Sequence, residues 1–356
     1  MDRTAATTEF LLSQWQRYPA MELGDFHKAL HQSVFGCGHF VTDETAGLEL
    51  LRRELELSPT DGPDTEELDG AFCRVHLRML KKTGLAPETL FRIFALSAAE
   101  SVGTTAELEE KLAVLQALAE DSRIPLSPAD VSAGAEAWRQ EGFDVRRHTA
   151  AFRATYAPAY RVVRHDFVRL LPLLSAIDRK LAEKETVILA IEGGSASGKT
   201  TLAAKLKAIY NCPVFHMDDF FLRPQQRTQQ RLAEPGGNVD RERFLEEVLL
   251  PLRRGEEVAY RRYDCSTGTV CAPESIQPGR LNIVEGAYSM HPLLAEHYDF
   301  TCFLTTKAEV QRKRILSRNG PEVGQRFFTQ WIPLEERYFA AMDPAGRCDL
   351  ILEVEP

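Results

Sequence analysis

The sequence predicts a chain in two parts: an all-α first part over residues 1–183, and an α/β second part over residues 184–356 built on a parallel sheet wrapped by helices. Three observations lead there. Apolar residues in the first part recur at helical spacing without strand-like alternation. After Thr186 short β-rich runs alternate with helical stretches, the pattern of a parallel sheet with crossover helices. Between the apolar run 186–191 and an amphipathic stretch stands EGGSASGKTT (192–201), whose spacing G-x-x-x-x-G-K-[ST] reads as strand, phosphate loop, helix.

In the first part, helices are predicted over 6–17, 23–35, 43–56, 66–82, 87–100, 104–120 and 128–141. Pro19, Gly36 to Gly38, the SPTDGPD loop (58–64), Gly84 and the 125–128 stretch separate them. A longer pattern over 160–184 puts Val163, Phe167, Leu170, Leu171, Leu174, Ile177 and Leu181 on one helical face and predicts a connecting helix. In the second part, strands are predicted over 186–191, 213–216, 281–285, 299–304 and 349–353, with helices near 199–209, 240–253, 307–318 and 322–341. Ligands are then expected at the carboxyl ends of the strands.

The chemistry of the phosphate loop follows from its residues. Gly193, Gly194 and Gly198, with Ser195, Ala196 and Ser197 between them, let backbone N–H groups turn inward around phosphate oxygens. Lys199 is expected to reach the β- and γ-phosphates and the Thr200 hydroxyl to meet Mg²⁺, with Thr201 next on a helix whose N-terminal dipole favours the anion. The following strand ends in His216-Met217-Asp218-Asp219. A carboxylate at the end of a strand neighbouring the phosphate-loop strand is expected near the γ-phosphate, where it can orient an acceptor hydroxyl, take its proton or reach Mg²⁺. The apolar strand 281–285 ends in Glu285, the place for a second Mg²⁺ carboxylate.

The chain of 356 residues is 44% hydrophobic and 27% charged, an ordinary globular balance, with a formal charge of −9. That charge argues against a nucleic-acid binder working by broad phosphate neutralisation. The opening MDRTAATTEFLLSQWQRY is interrupted by polar and charged residues too often for a signal peptide, and no apolar run approaches a membrane span. Seven cysteines, odd in number and scattered from Cys37 to Cys348, fit reduced thiols. The expectation is a cytoplasmic protein without membrane or nucleic-acid partners, able to form a homo-oligomer.

The order GGSASGKTT, D-x-F-F at Asp218, a slightly compressed Asn238, Asp240 and Phe244 set, Tyr263-Asp264 and VEG at 284–286 resembles the uridine kinase and phosphoribulokinase family of P-loop (Walker A) kinases, over about residues 186–356. The resemblance implies an α/β P-loop kinase domain using ATP and Mg²⁺ and a small-molecule hydroxyl acceptor. By position it makes Asp218 the catalytic base, Lys199 and Thr200 the phosphate and Mg²⁺ contacts, Glu285 the second acidic Mg²⁺ position, and Asp240 an acid for ribose hydroxyls. Arg312, Arg314 and Arg318 fall in a stretch resembling the family's lid, with Arg314 and Arg318 favoured as phosphate contacts. Tyr263 and Arg262 join the expected acceptor site. Uridine kinases usually carry a Pro before the Tyr-Asp pair and a His-x-Arg soon after it; here Gly268 and Val270 stand in the latter's place, and Arg261 and Arg262 suggest an anionic acceptor instead.

The function expected is thus transfer of the γ-phosphate of ATP to a hydroxyl of a small molecule. A nucleoside is the first choice and a sugar, polyol or hydroxy acid the alternative. An NTP-hydrolysing switch with a partner-binding helical part is a further alternative. In the first part the densest polar feature is His27, His31, Cys37 and His39, with Cys73 and His76 further on. Cys37, His39, Cys73 and His76 are possible zinc ligands, although His27 and His31 lie one helical turn apart within an amphipathic pattern that suits core packing.

Overall fold

The computed structural model describes residues 3–37, 43–100 and 103–354. The chain divides into two compact units, Met1–Asp178 and Arg179–Pro356. Among the described residues no helix is long and apolar enough to cross a membrane.

The first unit carries the helices Arg3–Arg17, Leu23–Phe35, Glu44–Leu57, Pro87–Ala98, Thr105–Glu120 and Pro128–Gln140, close to the predicted spans, and a shorter one at Ala150–Tyr156. Their starts are chemically marked: Asp43, Thr104, Ser127 and Thr149 each accept a backbone N–H three residues on. The unit is not all-α. Strands β1 (Thr65–Glu67), β2 (Phe72–His76) and β3 (Tyr160–Arg164) form an antiparallel sheet in the order β1-β2-β3. The predicted helix over 66–82 is therefore a hairpin followed by the short helix Arg78–Thr83, and the predicted helix over 160–184 begins as a strand and becomes helical at His165–Val168 and Leu171–Glu183.

The reason is physical. All five residues of β2 are buried, so the in-out alternation that marks a half-exposed strand is absent, and Leu68, Phe72 and Val75 imitate a helical stripe. The Tyr-Arg-Val-Val-Arg run of β3 has the aromatic and β-branched content of a strand, and packing against β2 outweighs the helical periodicity that continues after it.

This sheet buries charge. Arg74, 2% exposed, lies directly across from Glu66 and donates to it at 2.9 Å, and also to Gln14 at 2.8 Å and Gln32 at 2.8 and 3.0 Å. Burial opposes ionisation of Glu66, but Arg74, His76, Gln14 and Tyr18 outweigh it and hold the carboxyl well below the usual glutamate range.

The second unit is a five-stranded sheet in the order β12-β11-β4-β10-β5, all parallel. Its strands are β4 (Val187–Gly193), β5 (Val214–His216), β10 (Leu281–Glu285), β11 (Phe300–Thr305) and β12 (Leu350–Glu353). Between β5 and β10 lie two small antiparallel pairs: β6 (Val258–Tyr260) with β9 (Glu274–Ile276), and β7 (Tyr263–Asp264) with β8 (Thr269–Val270). β4 is buried along its whole length, as a central parallel strand must be. One expectation is corrected: β5, which leads to Asp218, does not neighbour β4, because β10 runs between them.

The Glu66–Arg74 pair generates a prediction. Glu66→Gln strands the Arg74 charge in the core and should cost ~3 kcal/mol or more, read as a lowered melting temperature. Because the folded carboxyl is depressed, its contribution is complete above the ordinary glutamate pKa of about 4.3 and fades as pH falls below it. The gap between wild type and variant should therefore narrow on acidification, and a gap that stays constant to pH 3 would refute the assignment.

Candidate active site

The 194–198 loop leaves β4 and enters the helix Lys199–Tyr210, with Gly193 at φ 149° and Gly198 at φ 105°. The Lys199 Nζ donates to the Gly194 carbonyl at 2.9 Å, curled over the loop. Thr200 Oγ1 donates to Glu285 Oε1 at 3.0 Å, and the same oxygen lies 2.6 Å from His216 Nδ1. Thus the ends of β10 and β5 and the first turn of the helix converge on one carboxylate. Thr201 is exposed on that same turn. Gly286 makes the convergence possible, since a Cβ there would lie 2.5 Å from the Met217 Cβ.

Asp218 follows β5 in a short 3₁₀ turn held by buried Met217 and Phe220. Phe220 packs edge-on to Phe244 at 4.9 Å, and the Arg243 guanidinium lies over its ring at 4.2 Å. Such an anchor fixes where the two acids between them point. The enclosing chain and the neighbouring Glu285 push the Asp218 carboxyl above the usual aspartate range, against the pull of Lys199, His216 and Arg318. Burial also opposes ionisation of Glu285, but His216, Lys199 and Thr200 hold it lowered, while the Glu285 hydrogen bond raises His216. Asp218, Lys199, Glu285 and Arg318 thus form one electrostatic group. Asp219 is also raised, by burial first, against the pull of His216 and Arg262, and lies beside Tyr260.

Arg314 donates to the Ala196 carbonyl at 3.4 Å, whereas Arg312 lies over the Phe328 ring at 4.6 Å, away from the loop. The helix carrying them, Ala308–Arg326, is interrupted at Gly320 (φ 72°, ψ 174°), and after a π-helical turn the chain continues as Ile332–Met342. Two residues of this stretch carried no signal in the sequence. Glu335 accepts from Ser195 N at 2.9 Å and Ser195 Oγ at 2.5 Å, and Gln311 donates to the Ser195 carbonyl at 2.8 Å. Burial raises the Glu335 carboxyl against those hydrogen bonds and Lys199. Their residue types carry no sequence signal, since a Glu or Gln on an amphipathic helix is ordinary surface.

Other expected site residues are already engaged. Asp240 caps the helix Arg241–Phe244 through Arg243 N at 3.3 Å, accepts from Gln226 at 2.9 Å and lies 3.5 Å from Arg243 Nε. Its oxygens thus accept two hydrogen bonds within the chain. Arg261 is paired with Glu247, and Arg262 with Glu274 at 2.5 Å, so neither is an uncommitted anion receptor. Tyr263 is buried, and its hydroxyl accepts from Arg227 at 3.1 Å. Arg227 and Asp218 both act on the exposed Cys265 thiol, whose pKa is raised by burial first, so these three side chains share one neighbourhood. Gly268 occupies a left-handed turn position (φ 71°) between β7 and β8.

The zinc expectation does not assemble. Cys73 and His76 stand three apart on β2 and face opposite sides, His76 being 3.3 Å from Glu66. His39 lies outside the described residues, and His27 stacks on Trp138 at 4.5 Å. The metal-compatible grouping among the described residues is a different one: Glu67, Cys73 and His165.

Residues 188–329 match the family model described as the phosphoribulokinase / uridine kinase family. The phosphoribulokinase of Synechocystis sp. is 23% identical over 185 residues, covering 48% of this chain and 54% of that protein. The chloroplastic phosphoribulokinase of Spinacia oleracea is 22% identical over 201 residues, covering 49% and 50%. The chain spans about half the length of these curated relatives. Among solved structures, a "possible uridine kinase" from Bacillus stearothermophilus is 21% identical with a TM-score of 0.39, covering 51% of this chain and 100% of that one.

The His216–Glu285 contact is directly testable. By NMR titration His216 should hold its proton to a pH above the ordinary histidine value of about 6.5, and Glu285→Gln should bring its midpoint down. An unchanged midpoint would mean that the pair does not form in solution.

Proposed function

We infer that the chain, whose segment 188–329 carries the phosphoribulokinase/uridine kinase family, is a kinase that transfers the γ-phosphate of ATP to a hydroxyl of a small molecule. The observation that carries the reading is the grouping of Lys199, Thr200, Glu285, Asp218 and Arg318 at the carboxyl ends of β4, β10 and β5. ATP and Mg²⁺ fit the residues present. Ser197 Oγ is buried with no hydrogen-bond partner beside backbone groups that a phosphate would engage, and Thr200 and Glu285 are paired hard oxygen donors suited to Mg²⁺. When bound, Mg²⁺·ATP supplies the transferable phosphoryl group with its charge partly neutralised.

The chain's own residues do the rest. Lys199 releases the Gly194 carbonyl and presents its charge to the β- and γ-phosphate positions. Asp218 accepts the proton of the acceptor hydroxyl, and its raised pKa makes it a better base. Arg314 and Arg318 lie on the segment that approaches the loop and stabilise the negative charge in transit. The acceptor stands beside Asp218, with Arg227, Tyr263 and Cys265 as its neighbours. Asp240, Arg261 and Arg262 are left out of this assignment because each is engaged within the protein. With Gly268 and Val270 on the β7–β8 hairpin in place of base-contacting groups, a non-nucleoside acceptor is favoured over uridine or cytidine.

Asp218→Asn should lower turnover by about 10²-fold or more with ATP binding retained, while Asp219→Asn should be far milder. The reverse order of severity would move the base to Asp219. An ADP-release screen over nucleosides, pantothenate, sugar phosphates, polyols and hydroxy acids should find acceptor-dependent turnover. ADP release at one rate whatever is added would instead identify a nucleotide-hydrolysing switch, and a sharp preference for uridine would restore the nucleoside site.

A further inference from the structure

The first unit carries a half-open recess of about 260 Å³ that the phosphoryl-transfer reading does not use. Its lining includes Tyr18, Phe152 and Tyr156, whose rings pack against one another at 4.8 to 5.1 Å, and the buried Arg74. The polar groups of the walls are mostly turned inward. The Tyr18 hydroxyl donates to Glu66 at 2.8 Å, the Tyr156 hydroxyl accepts from Ala20 N at 2.8 Å, and the Arg74 charge is balanced by Glu66. The rings therefore offer the cavity apolar faces.

Arg78 is the exception. Its Nη2 donates to His76 Nδ1 at 3.3 Å, while His76 Nε2 lies 3.3 Å from Glu66, so the imidazole is held between the two. Among the described residues no carboxylate lies within ion-pair distance of Arg78; Asp61, the acid in the lining, is exposed and forms no such pair. The guanidinium also lies close against the 58–64 loop: a Cβ at Gly62, whose φ is +114°, would lie 1.9 Å from Nη1. A half-buried guanidinium with unspent donors is thus held at the edge of an aromatic recess. Such a fork matches a carboxylate or a phosphate.

We propose that this cavity binds a small organic anion, its carboxylate or phosphate on Arg78 and its apolar body against Tyr18, Phe152 and Tyr156. The volume lies just below the usual ligand-pocket range of ~300–1,000 Å³, which limits the ligand to about one ring with its charged group.

The test is calorimetric titration of the full chain with benzoate and with phenyl phosphate, using benzyl alcohol as the uncharged control. At least one anion should bind, and benzyl alcohol at least about tenfold more weakly; the preferred anion identifies the head group. Arg78→Gln should weaken that binding at least about tenfold. Thr155→Trp, which fills the recess without touching the charge, should do the same and carries the test if Arg78→Gln does not fold. Lys199→Ala should leave it unchanged. The proposal fails if neither anion binds, if benzyl alcohol binds as well as the anions, if both cavity variants bind normally, or if Lys199→Ala abolishes binding, which would locate the anion on the phosphate loop.

Discussion

The second unit depends on one buried carboxylate. Glu192, last residue but one of β4, is fully buried and receives four hydrogen bonds: Gly193 N at 2.8 Å, Tyr288 N at 3.1 Å, Met290 N at 2.9 Å and the Tyr338 hydroxyl at 3.1 Å. It therefore ties the start of the phosphate loop to the turn after β10 and to the helix that carries Glu335. Burial pushes its pKa up to about 7 despite these donors. Hydrogen bonds to a charged group are worth about 1.5–3 kcal/mol each, so four of them can offset much of the cost of burying the charge. The loop is thus gripped from behind by Glu192 and from in front by Glu335.

Seen this way, the site is a set of backbone positions first and a set of side chains second. Thr200, His216 and Glu285 meet because β4, β10 and β5 are adjacent and in register, with Glu285 level with both Ile191 and His216. The separation of β4 from β5 by β10 places Asp218 across from the loop, leaving Glu285 in the middle. A carboxylate so placed can serve both a cation and a histidine, and its own ionisation steadies both.

The phosphate loop, its flanking strand and helix, and the five parallel strands were legible because each is marked locally: a glycine pattern, apolar runs, turn residues at their ends. Glu335 and Gln311 were not, because their partner Ser195 is over a hundred positions away and their residue types are ordinary on a helix. The sheet of the first unit was hidden for the opposite reason. Where β2 is buried on both faces and carries an arginine inside, neither alternation nor polarity distinguishes it from a helix. That Gln226 and Arg243 are partners of Asp240, and Glu274 the partner of Arg262, carries no signal in the sequence.

The break at Gly320 separates the two grips on the loop: Arg314 and Gln311 precede it, and Glu335 follows. A side chain at that position would meet nothing within 4 Å. Contacts nonetheless cross the bend: Gly324 lies close against the Leu316 side chain, and Arg312 lies over the Phe328 ring, so the spacing of the two holds is set by packing around it. Lengthening the chain at 319–321 would therefore shift one hold on Ser195 relative to the other.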